Sequence, residues 1–291
     1  MKQFFKKHLL EIILYLILFA GLCLLLYPSV SNWWNSFHQS RAIASYVQTV
    51  ENTSAEEQAA MLAAARAYNE RLAAGETSFL LNEEQNAEYR SLLDPSGTGV
   101  MGYIRIPAIN VDLPIYHTVE DVVLQIAVGH IPGSSLPVGG ADTHCLLSGH
   151  RGLPSARLFT DLNQLQAGDV FLFNILGETL TYQVDQIRIV LPEEVDQLSI
   201  VKGKDYCTLI TCTPYGINTH RILVRGHRVD NLSEVNLNIV SEARRVPVRY
   251  VIVAIAVPML CITALAMVLL DGRKKPKKNH RQLLEELRKN K

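Results

Sequence analysis

Thr208-Leu209-Ile210-Thr211-Cys212-Thr213-Pro214-Tyr215-Gly216-Ile217-Asn218-Thr219-His220-Arg221 decides how this chain is read. A β-branched, apolar run ends on one cysteine. The chain then turns through Pro214 and Gly216 and starts a second strand, Ile222-Leu223-Val224, from an arginine. A thiol at one strand end and a guanidinium at the start of the next can face one cleft. That pairing suits acyl transfer, with a sulfur nucleophile beside a cation for the developing oxyanion. About sixty residues upstream, Leu147-Ser148-Gly149-His150-Arg151-Gly152 is another strand-to-turn junction. Its His150 is the natural base, or imidazolium partner, for the thiol.

Outward from this block the chain is β-rich. Val100 to Ile106, Val111 to Tyr116, Cys145 to Ser148, Val170 to Ile175, Leu180 to Leu191, Tyr206 to Cys212 and Arg221 to Val229 are β-prone runs punctuated by Gly and Pro. Short helices are expected at Asp121 to Val128 and Ala156 to Leu165. Many short strands with few long helices point to a closed or nearly closed barrel. About 130 residues suffice for one such core.

The blocks Ser148 to Leu162 and Thr208 to Gly226 resemble the sortase family, and within it the pilus-assembling class C branch. The resemblance runs from about Gly102 to Val229. It implies an eight-stranded sortase barrel with the active site at a strand edge. It selects Cys212 as nucleophile, His150 among the nine histidines and Arg221 among the strand arginines. It implies transpeptidation: attack on the Thr–Gly bond of an LPxTG-like sorting signal, then transfer to a lysine amine of a pilin subunit. Other readings remain: a sortase that uses a peptidoglycan amine, a cysteine hydrolase whose acceptor is water, or a non-catalytic membrane receptor. Class C sortases often carry an Asp-Pro-aromatic lid. Here Asp94-Pro95-Ser96 has no aromatic, and the expected lid position reads Phe79-Leu80-Leu81-Asn82, so at most a weak cover is expected over residues 76–96.

The chain is 48% hydrophobic, with 28 basic and 28 acidic residues. That balance hides an asymmetry: residues 28–246 carry 15 Lys and Arg against 24 Asp and Glu, while 271–291 carry 9 against 3. Leu9 to Tyr27 and the uncharged Tyr250 to Leu270 can each cross a hydrocarbon core of ~30 Å. Lysines precede the first, and Arg273-Lys274-Lys275-Pro276-Lys277-Lys278 follows the second. Both termini are therefore expected inside, with the acidic middle outside; Arg244, Arg245 and Arg249 oppose this but are outweighed. A cleaved signal peptide, with Ser29-Val30-Ser31 at the cleavage site, is the competing reading of the first span. The acidic middle argues against nucleic acid.

The organisation expected is therefore a cytoplasmic 1–8, a span or signal anchor at 9–27, a helical segment 28–99 and a catalytic barrel 100–232. A linker 233–249, a second span 250–270 and a basic tail 271–291 complete it. In the helical segment, Met61, Ala65, Tyr68 and Leu72 form a stripe. Gly75 should end that helix, and a second short one should run from Glu83 to Leu92. No cysteine spacing suggests zinc, and no cofactor is expected. Cys145 and Cys207 are expected as buried thiols, with a disulfide between them as the alternative.

Overall fold

The computed structural model describes residues 2–76 and 79–231, with Met259 and Thr263. The chain divides into two compact units, Met1–Ala243 and Arg244–Lys291. The expected linker, second span and basic tail lie outside the described residues, apart from Met259 and Thr263.

Four helices are described: α1 (Lys2–Asn52), α2 (Ala55–Arg71), α3 (Glu83–Ser91) and α4 (Asp121–Leu124). Eight strands follow the third helix: β1 (Val100–Ile106), β2 (Val111–His117), β3 (Val128–His130), β4 (Thr143–Ser148), β5 (Val170–Ile175), β6 (Glu178–Val190), β7 (Asp205–Thr213) and β8 (His220–Val229). They close into a barrel in the order β1-β2-β3-β4-β7-β8-β6-β5. The pairs β2–β3 and β4–β7 are parallel and the rest antiparallel. Closure leaves no free sheet edge.

Strand alternation sorts the side chains. Cys145, Leu147, Cys207, Leu209, Ile222 and Val224 join the main core with Ile104, Phe171, Phe173 and Tyr182. Their neighbours Leu146, Ile210 and Leu223 form a separate apolar cluster with Val190. Central strands β4 and β7 are thus apolar on both faces, which explains their unbroken hydrophobic runs.

Two expectations fail here. The run Asp121 to Val128 is helical only through Leu124, and Val128 instead opens β3. Three residues bounded by Ala127 and Ile131 are too short to show a period. Ala156 to Leu165 is not a helix but a series of turns ending in one 3-10 turn, Leu162–Gln164. Ala156, Leu158, Phe159 and Leu162 are buried there, so the apolar residues serve to seat the loop on the core.

The N-terminal helices pack on the barrel. Helix α1 is continuous through Pro28. Ile13–Asn52 within it is long enough, and over part of its length apolar enough, to cross a membrane. Its far end reaches the core: Tyr46 donates its hydroxyl hydrogen to Met101 O (2.9 Å) and accepts from Leu176 N (2.9 Å). A capping box between Ser54 and Glu57 starts α2. The buried stripe of α2 and the turn after it is Leu62, Ala65, Tyr68, Asn69 and Leu72, with Met61 at its margin. Asn69 brackets Leu136, donating to its carbonyl (3.1 Å) and accepting from its N–H (2.7 Å). Gly75 breaks the helix at φ 101°. Helix α3 starts at an Asn82–Gln85 capping box and buries Tyr89. The following Asp94 carboxylate accepts from Thr98 N and Gly99 N, both at 3.1 Å. Asp94-Pro95 is therefore a turn that leads into β1.

Candidate active site

Cys212 and Arg221 are opposed residues of the antiparallel β7–β8 ladder. Directly paired residues project to the same face with Cβ atoms ~5 Å apart. Both are half-buried. Between them lies the turn expected from Pro214 and Gly216: Ile217 N and Asn218 N both bond Pro214 O (3.1 and 3.0 Å), and Gly216 takes φ 75°. Arg221 Nη1 donates to Asn218 O and His220 O, both at 3.1 Å. These carbonyls hold one arm of the fork. Nη2 and Nε carry no bond to any described residue, so their three N–H donors remain for a ligand.

His150 reaches the same place by the parallel β4–β7 pairing. The ladder ends at Ser148–Ile210. Gly149 N continues it, donating to Ile210 O (3.1 Å), and Thr211 Oγ1 donates back to Gly149 O (2.6 Å). Continued one residue further, that register would pair His150 with Cys212. Arg151 then spans the gap, donating from Nη1 to Thr213 Oγ1 and from Nη2 to Asn163 Oδ1, each at 2.9 Å. Glycine is required on both sides of the histidine. A Cβ on Gly149 would meet the Phe159 ring at 2.7 Å. Gly152, at φ 79°, lies against Tyr215, which a Cβ would meet at 3.1 Å.

Cys212 and Arg221 are thus paired across one ladder, and the adjoining parallel ladder carries the chain of His150 toward the Cys212 strand. The structure adds Thr211, Thr213 and Arg151, which clamp the His150 loop to the Cys212 strand. The threonines flanking Cys212 are visible in the sequence, but not their partner across a parallel ladder. No described residue bonds the His150 imidazole, so among the described residues no carboxylate orients it as in a serine-protease triad.

Three other described histidines each have a partner. His130 is fully buried; its Nε2 bonds Ser135 O (2.9 Å) and Tyr89 donates to its Nδ1 (3.0 Å). His144 Nδ1 donates to Ser199 O (2.9 Å) and its Nε2 accepts from Thr208 Oγ1 (2.8 Å). Burial lowers the His144 pKa, against the raising effect of the Ser199 bond, and Arg225 lowers it further. His220 bonds only its neighbour Thr219 (2.9 Å). Cys145 and Cys207 are opposed on β4 and β7, free and almost fully buried. Burial pushes the Cys207 thiol well up.

Beside Arg221 a cavity of about 300 Å³ runs along the outer face of the sheet. Leu146, Ile210, Leu223 and Val190 form its apolar cluster, and Leu191 to Leu198 walls it. Phe79 stands at its border, 43% exposed. A half-buried thiol, a fork with three unused N–H donors and an apolar groove beside Arg221 can bind an extended peptide and attack its carbonyl. Among the described residues no cluster of His, Cys, Asp or Glu could hold a metal.

Residues 104–229 match the family model described as "Sortase domain". The chain is 27% identical over 157 residues to sortase D of Bacillus subtilis, covering 53% of this chain and 76% of that protein. It is 31% identical over 130 residues to sortase A of Streptococcus agalactiae, covering 44% and 52%. The crystal structure of sortase C1 from S. agalactiae superposes with TM-score 0.65 at 51% identity, covering 66% of this chain and all of that one. Clostridium perfringens sortase C with the C-terminal cell wall sorting motif gives 0.59 at 43% identity, covering 66% and 100%. Over the barrel and the helices packed on it, identity at that level and coverage leave one assignment: this chain belongs to the sortase family of cysteine transpeptidases, and its structural neighbours are class C enzymes.

Proposed function

We propose that this protein cleaves an LPxTG-like sorting signal and joins the released acyl group to a lysine of a pilin subunit. The Cys212 thiolate attacks the threonine carbonyl carbon, with Arg221 Nη2 and Nε donating to the oxyanion. The C–N bond to glycine breaks as His150 gives its proton to the departing amine. A lysine Nζ then attacks the thioester, His150 takes its proton, and the thiolate leaves. An isopeptide bond is the product. The observation that carries this reading is the Cys212–Arg221 cross-strand pair, whose Arg221 lines an apolar groove.

We also propose that α1 anchors the enzyme, with both termini inside and the barrel outside. Its apolar stretch supports this, as do Tyr27, Trp33 and Trp34, exposed along one helix as an interfacial belt. On either side of the tryptophan pair, Asn35 Nδ2 donates to Ser155 O (2.6 Å) and Asn32 Oδ1 accepts from Arg157 N (2.8 Å). The loop that follows His150 would thus lie close to the bilayer, where a membrane-held substrate is delivered.

The test is incubation of the full chain, in detergent, with an LPxTG peptide and either a lysine-bearing pilin subunit, a peptidoglycan-type amine or no acceptor. Mass spectrometry should find the isopeptide product with the pilin. Preferential transfer to the peptidoglycan amine would indicate a wall-anchoring enzyme, and release to water alone a hydrolase.

A further inference from the structure

The groove continues past the apolar cavity. On β4 the two-residue repeat gives His144, Leu146 and Ser148 one face, and on β7 it gives Thr208, Ile210 and Cys212 one face. Leu146, Ser148 and Ile210 line the apolar cavity. His144 lines a second, larger crevice of about 830 Å³. Glu70, Ala73 and Ala74 form its helical side, and Lys202 lies on the barrel side. Phe79 and Leu198 border both spaces. The two are therefore consecutive parts of one channel that leads away from Cys212.

Length decides what each part holds. From Cys212 to Thr208 is about 13 Å of strand at ~3.3 Å per residue, and His144 hydrogen-bonds Thr208 there. The four residues on the acyl side of the scissile bond, laid along this face, span that distance. Anything before them in the substrate reaches His144, and the space it meets is more polar than the groove beside Arg221. Glu70, Asp142 and Lys202 border it, and Asp142 already accepts from Gly203 N. That lining suits a hydrated, extended backbone more than a buried apolar side chain.

We propose that this crevice is a binding subsite for the segment of the donor protein immediately upstream of the sorting signal, an extended polar stretch held between the α2 end and the Ser199–Lys202 loop. The proposal rests on the peptide-cleaving function above and on the cleaved signal lying along β7 with its N-terminal end toward Thr208. It makes this enzyme a reader of more than the short signal.

The test uses the full chain in detergent and two peptides. One is the signal alone. The other is extended upstream by roughly eight polar residues, enough to fill the crevice at ~3.3 Å each. The extended peptide should show a KM lower by about fivefold, the worth of one net hydrogen bond, at an unchanged kcat. Ala74→Trp, which fills the crevice from an exposed position, should bring the KM ratio of the two peptides to one. A photo-crosslinker in the upstream stretch should mark residues 70–75 or 199–202. Equal KM values in the natural enzyme, or a ratio that survives Ala74→Trp, would overturn the subsite alone. If neither peptide is cleaved, the functional reading falls and the subsite with it.

Discussion

Cys212 and Arg221 are nine residues apart in the chain and directly opposite across the β7–β8 ladder. The hairpin turn alone brings thiol and guanidinium to one face. The chain of His150 approaches by a different connection, the parallel pairing of β4 with β7.

Cys212→Ala should abolish transfer and leave the fold intact, because a half-buried groove residue changes stability by about 0.5 kcal/mol or less. Iodoacetamide on the native enzyme should label Cys212 among the barrel cysteines, since Cys145 is 2% and Cys207 0% exposed. A substrate adduct on either buried cysteine would refute the assignment. His150→Ala should be comparably damaging. A greater loss from His144→Ala or His220→Ala would identify a different histidine.

Arg221→Lys keeps the charge and loses the planar fork. Asn218 O and His220 O already hold Nη1, so the donors lost are those facing the groove. Removing one oxyanion donor costs roughly 3–4 kcal/mol. Single-turnover acylation should fall about a hundredfold or more. A rate near that of the natural enzyme would reduce Arg221 to a structural part.

Thr211→Val removes the hydroxyl that holds Gly149 O while keeping the side-chain shape. The expected cost is about 1 kcal/mol, appearing in kcat because Thr211 positions the His150 loop and touches no substrate. Thr211→Ser should restore kcat. A change confined to KM would assign Thr211 to binding instead.

His144 gives a pH dependence with a defined sign. Its neutral form is satisfied at both nitrogens, by Ser199 O and the Thr208 hydroxyl, and its folded pKa is depressed, chiefly by burial. Below the unfolded value of about 6.5 the unfolded chain binds the proton more readily. Stability is therefore full above that pH and declines as pH falls toward the folded pKa. The melting temperature should drop between pH 7.5 and 5.5, and by less in His144→Asn, which keeps a donor for Ser199. An equal drop in both would place the acid sensitivity elsewhere, with buried His117 the first candidate.

Phe79→Ala should raise the rate of Cys212 alkylation only a few-fold, as befits a cover held by few contacts. Within the segment 76–96, Phe79 is the described residue that borders the groove. Tyr89 and Leu93, further along the segment 76–96, are buried in the core, so deleting the whole segment would unfold rather than uncover the enzyme. A hundredfold increase from Phe79→Ala alone would reveal a tightly closing lid.

Much of this protein is local and therefore written in its sequence. The Cys212–Arg221 hairpin, the long runs of β1, β5, β6, β7 and β8, and the break at Gly75 each depend on neighbours within a few residues. Period, turn chemistry and the positive φ that glycine permits are readable without a fold. The short strand β3 was not, because Val128–His130 pairs as a strand only when β2 and β4 lie on either side. Nor was the loop after His150, whose apolar residues carry a helical spacing that the core surface overrides. The groove and the crevice behind it, the clamp of Thr211 and Arg151, and the burial of Tyr89 beside His130 join segments tens of residues apart. Those distances close only when the barrel does, and so the tertiary structure alone decides them.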